Sequence, residues 1–347
     1  MIPFLDLQAQ SRALAPELEA AFADRCGTRF CVAVSSGTSA LHLALLAAEI
    51  DPGDEVIAPA MTFVATVAAI LYAGAKPVLV DIDPRARTID PEAVARAVGP
   101  RTKAILPVHL HGQMADMEPL VAVARAHGLA VIEDAAQAHG AAYRGRRAGS
   151  VGQLGCFSFY PGKNLGACGE GGAVVTDDAG LAATLRCLRD WGQTERYVHT
   201  LQGFNYRMDA LQAALLNVKL PHLDAWTEAR RAHAARYDRL LAGSGLGLPA
   251  ALPDRRHVYH VYAVQAPDRD RVRERLARAG IATGVHYPRP VHLQPAYAEL
   301  GYGRGDFPHA ERFAAETLSL PMYPELSDVQ IAHVADELRA ARAVEPV

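Results

Sequence analysis

Residues 30–50 read FCVAVSSGTSALHLALLAAEI. A short run of apolar, β-prone side chains stops at two serines and a glycine, and apolar residues then recur at helical spacing. The same succession repeats along the chain. DEVIAPA (54–60) passes into TFVATVAAILYAG (62–74). KPVLVDID (76–83) is followed by KAILPVHLHG (103–112), and MEPLVAVARAHG (117–128) leads into LAVIEDAAQ (129–137). Strands alternating with helices across short Gly, Pro and Asp turns predict an α/β fold, a mostly parallel sheet covered on both faces. GCFSFYP (155–161) and GGAVVTDD (171–178) have no full helix between them, so a hairpin-like part of the same sheet is expected there.

From Asp209 the pattern turns helical, with Pro221 as a break between ALQAALLNVKL and LDAWTEARRAHAARYDRLL. HVYHVYAVQAP (257–267) reads as a period-2 strand, and a charged helix and a terminal helix follow. The expected division is a large α/β domain over 1–240 and a small α+β domain over 241–347.

The chain has 347 residues, half of them hydrophobic and 21% charged, as in a globular enzyme. A net charge of -3 without a basic block argues against a nucleic-acid protein. DRDRVRERLARAG (268–280) interleaves its arginines with acids and reads as a solvated helix face. Five cysteines with no CxxC pair suit a reducing cytoplasm. No signal peptide is legible at the start, and the longest apolar stretch is broken by Gly74, Lys76 and Pro77. A cytoplasmic protein without a membrane segment is expected.

Four stretches bear on chemistry. VSSGTSALHLAL (34–45) opens a helix with free N–H groups and hydroxyls, an anion site or an ordinary Ser/Thr cap. Asp134 ends an apolar strand with Gln137 three residues on; it can pair with a buried cation or cap the next turn. In GFNYRMDALQAA (203–214), a polar and aromatic loop precedes a helix that Asp209 could cap. His109 and His111 are expected on one strand face, but no third ligand at telling spacing supports a metal.

The fourth is FSFYPGKNLGACGEGG (157–172). Only four of the 35 basic residues are lysines: Lys76, Lys103, Lys163 and Lys219. Lysine can lose its proton when desolvated and arginine cannot. Lys163 lies in an uncharged stretch, whereas the others sit at strand mouths or on an amphipathic helix. The spacing does not fit a phosphate-binding P-loop, and no G-x-G-x-x-G supports a nicotinamide cofactor. An anion site, a strand-end Asp and a desolvated Lys, in this order, suit pyridoxal phosphate chemistry.

These residues resemble the DegT/DnrJ/EryC1/StrS family of sugar-nucleotide aminotransferases, with the aspartate-aminotransferase fold (fold type I). The likeness runs nearly end to end, through IPFLDLQAQ, VSSGTSALHLAL, GDEVIAPAMTFVATVAAI, PVLVDID, VIEDAAQAHG, FSFYPGKNLGACGEGGAVVTDD, FNYRMDALQAA and HYPRPVHLQPAY. FYPGKNLGA followed by GEGG is most similar to the branch that aminates C3 of nucleotide-linked keto sugars.

The resemblance implies that Lys163 holds pyridoxal 5'-phosphate as a Schiff base and Asp134 keeps its ring nitrogen protonated. Gln137 would lie near the ring's phenolic oxygen and Phe63 would stack on its face. Gly37, Thr38 and Ser158 would bind the phosphate, with Asn205 reaching it from the partner subunit of a homodimer. His286 and Tyr287 would line the sugar side, or serve only to pack a strand-to-loop junction. A nucleotide sugar and glutamate are the implied substrates.

Alternatives are amination at C4, and a non-catalytic regulator that binds the cofactor or sugar. A sugar dehydratase is disfavoured, because that branch replaces the lysine with histidine. The chain departs from the family in lacking around twenty residues ahead of APELEAAF (15–22), and in carrying His111 where tyrosine is common.

Overall fold

The computed structural model describes residues 14–343. Seven strands form the central sheet: β1 (Phe30–Val34), β2 (Glu55–Pro59), β3 (Lys76–Val80), β4 (Thr102–Ile105), β5 (Ala130–Asp134), β8 (Leu154–Ser158) and β9 (Gly172–Thr176). Between β5 and β8 stand the two short strands β6 (Ala142–Tyr143) and β7 (Arg146–Arg147). The sheet order is β1-β9-β8-β5-β4-β2-β3. Neighbours from β3 to β8 are parallel, and only β9 runs antiparallel, to β8 and to β1. The segment expected as a hairpin therefore does turn back, with Ser158 paired to Gly172 and Gly155 to Val175.

Strand side chains alternate between two cores. Val32, Val56, Ala104, Ile132 and Val174 face helices α2 (Gly37–Ala47), α3 (Val64–Tyr72) and α6 (Ala179–Arg189). Cys31, Ile57, Ile105, Val131 and Val175 face α1 (Leu14–Cys26), α4 (Pro91–Ala97), α5 (Met117–His127) and α7 (Ala210–Lys219). Both sheet faces are thus buried, which is why the strands read as continuous apolar runs.

Pro221 ends α7 in a single 3-10 turn, Leu220–His222, and α8 (Leu223–Leu241) continues from it. Helix α8 enters two cores. Leu223 packs under the large sheet, while Ala234, Tyr237 and Leu241 join a third core with α9 (Arg269–Arg278) and α11 (Asp328–Ala343). Outside the central sheet lie the short strands β10 (Gln193–Glu195), β11 (Val198–His199) and β12 (Arg255–Arg256), and the strand pair β13 (Tyr262–Gln265) and β14 (Thr317–Leu320) belongs to that third core. Between them the chain returns to the large sheet. Val291 donates its N–H to the Ala60 carbonyl, and Asp81 accepts the His309 and Ala310 N–H groups at the start of α10 (Pro308–Glu316).

Two local expectations are corrected. The strand read over 257–267 forms only from Tyr262. Val258 instead bonds the Gly112 carbonyl, and Tyr259 takes a left-handed φ of 45°. His109 and His111 do not share a strand face. β4 ends at Ile105, and His111 lies in a 3-10 turn with φ 61°.

Candidate active site

A cavity of about 580 Å³ opens where β1, β2, β4, β5 and β8 end, the usual ligand position in an open α/β sheet and a usual ligand volume. Its wall brings together Gly37, Thr38, Phe63, Asp134, Gln137, Ser158, Lys163, His286 and Tyr287, nine of the ten residues to which the resemblance gives a site role. Asn205 is the exception: it is exposed, beside Asp190, and outside this wall.

The anion end is built by α2. Ser36 and Ser39 form a reciprocal capping box, the Ser36 hydroxyl accepting the Ser39 N–H at 3.0 Å and the Ser39 hydroxyl accepting the Ser36 N–H at 2.8 Å. The Gly37 and Thr38 N–H groups have no intrahelical acceptor and form the positive end of the helix dipole. The helix start is pressed against the hairpin: a Cβ on Gly37 would lie 2.6 Å from the Ser158 Cβ, and one on Gly172 would lie 2.3 Å from the Ser36 carbonyl. Glycine at both positions is what brings the helix N-terminus and the Ser158 hydroxyl to the same point.

Lys163 sits on a tight turn whose curl requires Gly166, where a Cβ would approach the Pro161 carbonyl to 2.4 Å. Three clamps hold this turn. Lys219 donates to the Gly166 carbonyl at 2.6 Å, Asn164 donates to the Val258 carbonyl at 3.0 Å, and the Cys168 N–H bonds Gln212 at 2.9 Å. Lys219, read from sequence as a helix-face residue, therefore braces the loop. Burial lowers the Lys163 pKa from its ordinary value, and Asp134 opposes that shift. Lys76, by contrast, is largely exposed beside Glu55.

Asp134 is buried, which pushes its carboxyl up; hydrogen bonds from Thr66 and Ala136 and the nearby Lys163 pull it back. Behind it, Glu133 points to the opposite face of β5. It accepts from His109 Nε2 at 2.7 Å and from the backbone of Gly149, Val151 and Gly152, which ties β5 to the turn leading into β8. His109 Nδ1 accepts the Ala115 N–H, so both its ring nitrogens are occupied within the protein. Among the described residues, no group of three His, Cys, Asp or Glu could hold a metal ion.

Gln137 is fixed in orientation. Its Oε1 accepts the His111 N–H at 2.7 Å, so its Nε2 faces the cavity and donates to the Tyr287 hydroxyl at 3.0 Å. Tyr287 in turn lies 5.5 Å from the Phe63 ring. Phe63 is 52% exposed, so it is a wall of the cavity rather than a core aromatic. His286 bonds the Ser319 hydroxyl through Nδ1 at 2.8 Å, and its carbonyl accepts from His111 Nε2 at 3.1 Å. Ser36, from the Ser-Ser-Gly-Thr turn read as an anion site, also lines the wall; the sequence reading missed Thr62, Tyr160, Glu170 and His260, which do so too. Thr62 flanks the recognised Phe63, and Glu170 lies within the quoted glycine stretch. His260 carried no sequence signal, since its approach depends on the 257–260 segment leaving its strand.

The residues fit pyridoxal phosphate: a desolvated amine and a buried carboxylate share a cavity with an open helix N-terminus. Fold and site together define an α/β enzyme of the type I pyridoxal-phosphate class. The chain belongs to the DegT/DnrJ/EryC1/StrS aminotransferase family, whose model matches residues 11–339. It is 48% identical over 361 residues to the dTDP-3-amino-3,4,6-trideoxy-alpha-D-glucose transaminase of Streptomyces venezuelae, covering 97% of this chain and 95% of that protein. It is also 48% identical over 362 residues to a pleiotropic regulatory protein of Geobacillus stearothermophilus, covering 97% of each. That alignment is longer than this chain, so the relative carries residues with no counterpart here. The segment IPFLDLQAQ (2–10) lies outside the described residues. Among solved structures, S. venezuelae DesV in complex with ketimine intermediate superposes with a TM-score of 0.94 at 46% identity, covering 98% of this chain and 96% of that one.

Proposed function

We propose that the protein transfers an amino group from L-glutamate to a nucleotide-linked 3-keto hexose, a dTDP- or UDP-sugar, using pyridoxal phosphate. The observation that carries this reading is the convergence of Lys163 and Asp134 on one cavity at the start of α2. The names of the relatives support it, one being a transaminase that forms a 3-amino sugar nucleotide. The cofactor, when bound, supplies an electron sink and carries the amino group between the two substrates.

The protein's own residues supply the rest. The Lys163 Nζ would hold the cofactor and, once displaced by an amino donor, would accept and return a proton, because burial favours its neutral form. Asp134 would face the ring nitrogen and keep it charged. The Gly37 and Thr38 end of α2 and the Ser158 hydroxyl would take the phosphate, the Gln137 Nε2 the ring oxygen, and Phe63 one ring face. His286 and Tyr287 would line the sugar side.

A homodimer with shared sites is part of this reading. Leu71, Tyr72, Trp191, Tyr197, Val198 and Leu201 are exposed. Several lie beside the loop carrying Asn205: Trp191 bonds the Phe204 carbonyl, and His42 packs on Tyr72, Phe204 and Tyr206. An apolar surface of this kind is suited to a second copy, and it would deliver Asn205 to the partner's phosphate site.

The test has two parts. Borohydride reduction of the protein with pyridoxal phosphate should label the peptide containing Lys163; labelling at Lys76, Lys103 or Lys219 overturns the site. Competing 3-keto and 4-keto sugar nucleotides with glutamate should give the 3-amino product by NMR. A 4-amino product refutes the regiochemistry, and no turnover at all favours a binding protein over an enzyme.

A further inference from the structure

The Asp134 carboxylate is held by two threonine hydroxyls in series. Thr66 Oγ1 donates to Asp134 Oδ2 at 2.7 Å, and Thr62 Oγ1 lies 2.7 Å from Thr66 Oγ1. An ionised carboxylate only accepts, so the single Thr66 proton is committed to it, and Thr62 must be the donor to Thr66. The other carboxylate oxygen, Oδ1, accepts the Ala136 N–H at 3.2 Å. Thr66 is 0% exposed, so its hydroxyl is shut off from bulk water, and Thr62, 2% exposed, stands between it and the cavity wall. Thr62 precedes the N-cap Phe63 of α3 and Thr66 lies in its first turn, where the Thr66 N–H bonds the Phe63 carbonyl at 3.2 Å. The turn that presents Phe63 to the cavity thus also aims the hydroxyl at Asp134.

We propose that Thr66 is a positioning residue for the Asp134 carboxylate, with Thr62 fixing the direction of its hydroxyl. The inference rests on the proposed role of Asp134 toward the cofactor ring. A buried carboxylate gains its full effect on a cation only when it is ionised and held in place. Thr66 does both: it stabilises the charged form against desolvation and sets the plane of the group. Ala136 alone would leave Oδ2 without a donor in a dry site, where an unmade bond is costly.

The test compares Thr66→Val, Thr66→Ser and Thr62→Val, with Asp134→Ala as the reference. Pyridoxal phosphate dissociation constants are measured by equilibrium dialysis, with the absorbance spectrum of the bound cofactor and the kcat and KM for the sugar substrate. Thr66→Val keeps the shape and removes the bond. It should weaken cofactor binding and lower kcat by about ten-fold or more, shift the cofactor spectrum in the direction seen with Asp134→Ala, and leave KM for the sugar within about two-fold. Thr66→Ser should restore all three to near wild type, and Thr62→Val should show a smaller effect of the same kind. If Thr66→Val does not fold, Thr66→Ala carries the same comparison. Wild-type cofactor affinity, spectrum and kcat in the hydroxyl-free variant, with Asp134→Ala impaired, overturn the Thr66 assignment alone. If Asp134→Ala is also at wild-type level, the role given to Asp134 falls with it.

Discussion

Lys163 and Asp134 are each pushed by burial toward the neutral form, and each is pulled back by the other. Lys163 stands out in the sequence and Asp134 does not; the dry cavity they share is what gives the pair its chemistry. Asp134→Ala should retain cofactor through the α2 end and Ser158, yet lose about 10²–10³ in kcat, the usual scale for one aimed electrostatic contact. A near-normal kcat in cofactor-saturated enzyme would make Asp134 a structural cap. Titration at buried histidines gives a second expectation. Burial lowers His111 and His139 to about 3, and His257 and His260 well below the ordinary 6.5. Below pH 6.5 the unfolded chain takes up protons at these rings and the folded one does not, so stability falls as pH falls from there toward 3. Each ring contributes about 1.4 kcal/mol per pH unit once its unfolded form is charged. His139→Phe keeps a ring among Phe22, Phe157 and Phe159 and removes one titrating group. Denaturant unfolding at pH 7, 6 and 5 should show a shallower acid limb for that variant; an unchanged slope would show that His139 charges in the fold.

At the scale of elements, the decisive contact is between α2 and the β8–β9 hairpin. The Ser-Ser-Gly-Thr opening was legible as a helix start, and the capping box forms. The closeness of that start to Ser158 was not, because it depends on a sheet pairing more than a hundred residues away. Gly172→Ala places a Cβ against the Ser36 carbonyl and the Gly37 nitrogen, backbone atoms that cannot swing aside. The helix start must then move from the hairpin. A loss of roughly 1–3 kcal/mol in denaturant unfolding is expected, the scale of overpacking, together with weakened cofactor binding. Wild-type stability and affinity would show that the two elements part without cost.

For the whole molecule, the arrangement of Asn205 gives the test. The residue is exposed and outside its own chain's cavity wall, on a loop flanked by exposed aromatics. Lys163→Ala and Asn205→Ala should each be nearly inactive alone. In a heterodimer of the two, a residue acting in trans leaves one site doubly damaged and one intact, so isolated heterodimers should recover about half the activity per dimer. A residue acting in cis leaves one lesion in every site and no recovery. Absence of recovery in verified heterodimers therefore returns Asn205 to its own chain.

The α/β alternation and the parallel sheet were readable from 30–50 and its repeats, because local periodicity reports which faces of an element are buried. Lys163 stood out for a similar reason, since an uncharged stretch around a lone lysine reports desolvation without a structure. Other features depend on contacts distant in sequence. Thr66 meets Asp134 across 68 positions, Lys219 reaches the Lys163 turn across 53, and His260 enters the wall only because residues 257–260 abandon the strand that their alternation predicts. Periodicity describes one element against an averaged surrounding, so it carries the strands, helices and charge environment. Which hydroxyl meets which carboxylate is a matter of tertiary packing, set by how α3 seats on the sheet.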